Sequence, residues 1–254
     1  MIFIALAVGL AVLAHTAPLP FLLEAFRPGR SIWRVPSPPN SAPAIYLTFD
    51  DGPNPDWTPP LLDALRDTGA SATFFLIDPY ITESTATIVK RIADDGHAIG
   101  LHSGTRRLML DDPDDLAVTL QQAAQRIEAI TLHPPCPLFR PHAGWRSGTM
   151  YQGLDRIGYR LAGWTWGMWD FDWGRERRAD RLAPRLAHKA SDGDIIVIHD
   201  GHHVNPRADR RHAAETVRRL VPELRARGFV FKPLCDPSAP STSDSRSATR
   251  QPAA

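Results

Sequence analysis

Net charge is the first thing missing from this chain of 254 residues: 29 Lys and Arg stand against 28 Asp and Glu, a formal +1. So even a balance excludes the basic footprint of a nucleic-acid binder, and no nucleic-acid partner is expected. Cysteine is nearly absent, at two, which excludes a scaffold stapled by several bridges. Cys136 and Cys235 are able to pair in an exported chain, but one bridge does not reveal the compartment. No apolar run reaches the ~20 residues of a membrane span. The run that opens the sequence, MIFIALAVGLAVLA, has the length of a signal-peptide core. No Lys or Arg precedes it, and Arg27, Arg30 and Arg34 follow it, the wrong bias for an anchor holding an exported domain. Residues 1–25 are read as a signal peptide or membrane anchor. The expected location is exported (periplasmic or extracellular) or membrane-anchored, with membrane association through that segment. No internal repeat is visible.

What is present is an ordinary globular composition, 43% hydrophobic and 22% charged, with one domain expected over residues 41–235. Residues 26–40 are rich in Pro, Ser and Asn and read as a linker. Residues 236–254 are small and polar, too poor in apolar surface to order themselves. Within the domain, strand and helix signals alternate. Strands are expected at Ala44–Phe49, Ala72–Ile77, Ala98–His102, Cys136–Arg140, Tyr159–Trp166, Asp194–His199 and Phe229–Leu234. Between them come helices, the clearest being Asp114–Ile130, where Leu116, Leu120, Ala123, Ile127 and Ile130 recur at helical spacing. About seven βα units in this order argue for a parallel sheet covered by helices, open or closed into a barrel.

The polar clusters add a constraint. Asp50-Asp51, His102, Arg140, Asp172 and His199 each fall at or just beyond the C-terminal end of an expected strand. In a parallel (β/α) barrel those ends share one face. One carboxylate of a pair there is able to bind a cation while its neighbour acts as a base. His102 suits a borderline divalent ion such as zinc. Arg140 holds a carboxylate ionised, and His199 has a pKa suited to donating a proton. The set fits metal-assisted hydrolysis.

The ordered series, over about residues 45–234, resembles the polysaccharide deacetylases with a NodB-homology domain, a carbohydrate esterase family. TFDDGP at 48–53 matches the first motif of that family in full. By this resemblance Asp50 is the catalytic base, and Asp51 and His102 are metal ligands. Phe139-Arg140-Pro141-His142-Ala143-Gly144-Trp145 is similar to the third motif. There Arg140 orients the base, the Ala143 peptide N–H helps hold the oxyanion, and Trp145 joins the substrate-binding set. Asp172-Trp173 resembles the fourth motif, Asp172 pairing with Arg140 and Trp173 lining the site. In the last, Ile196 to Asp200, His199 is the general acid and Ile198 walls an acetyl pocket. The resemblance implies a distorted (β/α) barrel and a divalent metal, zinc first, cobalt or manganese as alternatives. The implied substrate is the N-acetyl group of a GlcNAc-containing glycan such as peptidoglycan or chitooligosaccharide. A monomer is expected.

One position departs from the family pattern. The second motif is a His, a hydroxyl residue, two variable positions and a second metal His, but here it reads HSGTR, His102 to Arg106. An arginine stays protonated and cannot ligate. Three outcomes follow: weaker metal binding through Asp51, His102 and water, substitution by another residue such as His142, or replacement of the ion by Arg106. The last leads to the alternative reading, a non-catalytic or metal-independent glycan-binding barrel using Trp145, Trp166, Trp169 and Trp173 as a sugar platform.

Overall fold

The computed structural model describes residues 29–167, 170 and 178–236, with residues 4 and 9 before them. Among the described residues, nine strands form a single sheet: β1 (Ser31–Ile32), β2 (Ala44–Gly52), β3 (Ala72–Ile77), β4 (Ala98–His102), β5 (Leu138–Arg140), β6 (Arg160–Ala162), β7 (Trp166–Gly167), β8 (Asp194–His199) and β9 (Val230–Phe231). The hydrogen-bonded order is β1-β6-β5-β4-β3-β2-β8-β7, with β9 beside the base of β2. Every strand pairing is parallel. β1 and β7 are the two edges, so the sheet curls into a distorted, incompletely closed (β/α) barrel. The expected seven strands are present. Tyr159–Trp166 is split into β6 and β7, because Gly163 and Trp164 leave the sheet between them. The stretch expected as a linker contributes the added edge strand β1, paired with β6, and Arg34 there binds Asp194.

Six α-helices among the described residues cover the sheet: α1 (Thr58–Thr68), α2 (Glu83–Asp94), α3 (Pro113–Thr131), α4 (Gly148–Arg156), α5 (Ala179–Lys189) and α6 (Arg211–Ala226). Their ends are set locally. Pro59 and Pro60 occupy the first turn of α1, where a missing N–H costs nothing, and Gly69 stops it at φ 65°. Asp112 caps α3 by accepting from the Asp114 N–H, with Asp114 and Asp115 complementing the helix dipole.

Strand alternation divides the interior in two. Leu47, Phe49, Phe74, Ile196 and Ile198 point outward and are buried with Leu61, Leu65, Val217 and Leu220 of the helices. Burial of each such side chain stabilises the fold by about 1.5–3 kcal/mol. Tyr46, Ile195, Val197 and Trp164 form a smaller cluster inside the curl. Phe75, Leu138, Ala162 and Cys136 form another, closed by the Cys136–Cys235 disulfide. The inward positions one step further along β2 and β8 are Thr48, Asp50 and His199, so the apolar filling gives way to polar groups at the C-terminal rim.

Candidate active site

Register brings distant residues level. Asp50 of β2 lies beside His199 of β8, and His102 of β4 beside Arg140 of β5. Simple alternation would turn Asp51 away from Asp50. Instead Asp51 takes φ 70°, and the β2–β3 register slips between Asp50 and Gly52. This left-handed residue is unusual for a side chain with a Cβ. It swings the second carboxylate back to the rim. Asp50, Asp51, His102, His142, Ala143, Trp164 and His199 then line one pocket of about 10 Å³, the room of a single water or ion.

Asp50 is held by Arg140, whose guanidinium donates from Nη1 to Asp50 Oδ1 at 2.6 Å and to Thr48 Oγ1 at 2.8 Å. Nη2 and Nε of Arg140 donate to the carbonyls of Gly163 and Ala162, and the group stacks 4.0 Å over the Phe75 ring. Arg140 is fully buried. A buried charge survives only when paired in this way, and removing one partner of such a pair costs about 3–5 kcal/mol. Asp172, expected to pair with Arg140, and Trp173 lie outside the described residues, as does Trp169.

His102 Nδ1 donates to the Arg140 carbonyl at 2.6 Å, and Nε2 faces Asp51 Oδ1 at 3.1 Å. That bond fixes the tautomer: a neutral His102 turns its Nε2 lone pair toward a carboxylate oxygen. Two electron-rich atoms so placed need a proton or a cation between them. A carboxylate and an imidazole are also the donors a zinc-like ion takes, so the residues present fit a divalent metal. Burial alone would raise the Asp51 pKa, but the His102 hydrogen bond and the nearby His102, His199 and His142 hold it well below the usual carboxylate range.

The partner of His199 is a residue that sequence reasoning missed. Asp170 Oδ1 accepts from His199 Nδ1 at 2.9 Å, and Oδ2 accepts from the His199 N–H at 2.7 Å and from His212 Nε2 at 3.1 Å. Burial pushes the His199 pKa down, yet Asp170, assisted by Asp51 and Asp50, lifts it to about 9. Behind the pair, burial first and then the charges of Asp51 and Asp50 push Asp200 up to about 7, although the Thr58 hydroxyl donates to it. Asp170 stands two residues before Asp172 in WDFDW, so the signal was only that two acids share one segment.

The remaining expected residues sort by position. Ala143 lines the pocket at φ 50°. Ile198 does not line it: being next to His199 on an extended strand, it faces the helices and is fully buried there. That corrects its expected role as an acetyl-pocket wall. The aromatic wall is Trp164. Trp166, expected in a sugar platform, instead donates Nε1 to Asp194 at 2.9 Å. Arg106 is exposed and stacks 5.2 Å over Trp145, so it does not replace an ion. His142 is buried in the pocket. Burial, His102 and His203 push its pKa down to about 4 against the pull of Asp51.

This geometry has relatives. Residues 37–162 match the polysaccharide deacetylase family profile. A peptidoglycan-N-acetylglucosamine deacetylase of Bacillus cereus is 30% identical over 204 residues, covering 80% of this chain and 90% of the relative. A chitooligosaccharide deacetylase of Azorhizobium caulinodans is 32% identical over 199 residues, covering 75% and 92%. Among solved structures, a family 4 acetyl xylan esterase from Clostridium thermocellum in complex with a cobalt ion superposes with a TM-score of 0.67 at 27% identity, covering 75% of this chain and 88% of that one. With its rim of Asp50, Asp51, His102, Arg140 and His199 at the strand ends of such a barrel, the chain belongs to the polysaccharide deacetylase family.

Proposed function

We propose that this protein removes the acetyl group from N-acetylglucosamine units of a glycan such as peptidoglycan or chitooligosaccharide, by metal-assisted acid–base hydrolysis. The observation that carries the reading is the meeting, in one pocket, of a carboxylate paired with a buried Arg and an imidazole held protonated by a buried Asp. Asp51 and His102 would hold the ion, zinc in the first place, with cobalt or manganese as alternatives. Bound there, it would polarise the acetyl carbonyl and lower the pKa of water. Asp50, oriented by Arg140, takes a proton from the attacking water. The water oxygen adds to the acetyl carbon, and the Ala143 peptide lies at the rim where negative charge develops on the acetyl oxygen. His199 gives its proton to the amide nitrogen as the C–N bond breaks, so acetate and a free amine leave. The ring of Trp164 suits the acetyl methyl.

The hydrophobic opening of the sequence suits an exported or membrane-anchored enzyme, which is the location we propose, acting as a monomer. Among the described residues no helix is long and apolar enough to cross a membrane.

Release of acetate from N-acetylated chitooligosaccharides, with chelator and then with added zinc or cobalt, tests the reading. The unaltered protein should release acetate when metal is supplied. Asp50→Asn, which keeps the shape and loses the base, should lower kcat by about 10²- to 10⁴-fold. Absence of acetate release under any metal would discard the reading in favour of a glycan-binding barrel.

A further inference from the structure

We infer that His142 is a metal ligand that takes the place vacated at position 106. The inference shares with the functional reading only the ion at Asp51 and His102. Those two residues are a partial set, because a zinc-like ion takes at least three protein donors in a catalytic site. The side chain at 106 is excluded twice over, by chemistry, since a guanidinium has no lone pair to give, and by position, since Arg106 is exposed and stacked on Trp145.

His142 meets the requirements that Arg106 fails. It lies two residues beyond Arg140, on the turn that follows β5, and lines the same small pocket as Asp51 and His102. Its N–H donates to Ser103 Oγ at 2.9 Å, and Ser103 directly follows His102, so the backbone of His142 is tied to the end of β4. The outer side of its ring rests on His203, centroid to centroid 4.5 Å. An imidazole buried on the pocket wall, with its main chain fixed to a neighbouring ligand, has only its side-chain torsions left to adjust. Among the described residues no three His, Cys, Asp or Glu side chains are already spaced to hold an ion. The inference therefore includes a turn of the His142 ring on binding, from one staggered rotamer to another.

Calorimetric titration of the metal-free full chain with zinc(II) and cobalt(II), and the visible spectrum of the cobalt form, test this. Outer-shell partners of metal ligands are worth about 10- to 100-fold in affinity, so His142→Ala should weaken binding by at least that much and alter the cobalt spectrum. His142→Asn, a polar replacement, should do the same if the loss is of ligation and not of folding, with unchanged circular dichroism. Arg106→Ala should leave affinity unchanged. The double variant His142→Ala with Arg106→His should regain affinity. Wild-type affinity and spectrum in both His142 variants would overturn the inference, as would the lack of saturable binding by the unaltered protein. Acetate release is not read, so a chain that binds cobalt through His142 without turning over substrate upholds this inference and removes the functional one.

Discussion

Asp170 makes His199 a strong base and hence a proton carrier over a wide pH range. Burial opposes the charged imidazole, but the carboxylate, with Asp51 and Asp50 behind it, raises its pKa from 6.5 to about 9 in the metal-free protein. A general acid works protonated, so this acid is competent below about pH 9 and loses its proton above it. The same shift contributes stability fully present below pH 6.5 and lost as pH rises through about 9. In Asp170→Asn the strongest of the raising influences is gone, while Asp51 and Asp50 remain. The alkaline limb of the pH–rate profile should move down by about one to three units. At pH 8 kcat should fall more than it does at pH 6. A profile that keeps its alkaline limb while the whole curve drops would assign Asp170 to structure alone. His212 reaches the same carboxylate from the start of α6 and helps hold it in place.

At the scale of elements, the site depends on the close approach of β2 and the turn after β8. Gly201 donates its N–H to the Asp50 carbonyl at 3.2 Å. A Cβ built on it would stand 1.7 Å from the Asp51 carbonyl oxygen. That oxygen belongs to the left-handed residue on which the second carboxylate depends, and main chain cannot yield as a flexible side chain does. Gly201→Ala should therefore push Asp51 out of register with His102. The expected cost is about 1–3 kcal/mol in denaturant unfolding, as for other overpacked sites, together with weaker cobalt binding. Wild-type stability and affinity in that variant would show that the two strands have slack at the rim.

For the molecule as a whole, the curled sheet is an open structure whose two edges, β1 and β7, are not joined to each other among the described residues. The Cys136–Cys235 disulfide ties the approach to β5 to the chain that follows β9, across a separation of 99 residues. Closing so long a loop restricts the unfolded chain considerably, and loss of a native bridge costs about 2–5 kcal/mol. Cys136→Ser with Cys235→Ser should lower the melting temperature by several degrees or more. Cys235 sits in an apolar cluster with Leu234, Phe75 and Leu138, so part of the loss is packing. A double variant that melts with the unaltered protein would show that the bridge contributes nothing in solution.

Local chemistry was enough to determine the alternation of strands and helices, the caps of α1 and α3, and the placing of acids, imidazoles and a guanidinium at strand ends. Those features depend on neighbours within a few positions, where periodicity and turn residues act. The division of inward from outward along β8 follows from the same local reasoning, since residues 198 and 199 on an extended strand must face opposite ways, and placing Ile198 at the acetyl pocket overlooked it. Tertiary structure alone decided that Asp170 of WDFDW reaches His199 and that His142, not Arg106, turns into the pocket. It also decided that Trp164 forms the aromatic wall. Each of these is a choice of direction by a side chain in a loop, where no period constrains it and where only packing against elements far along the chain selects one rotamer over another.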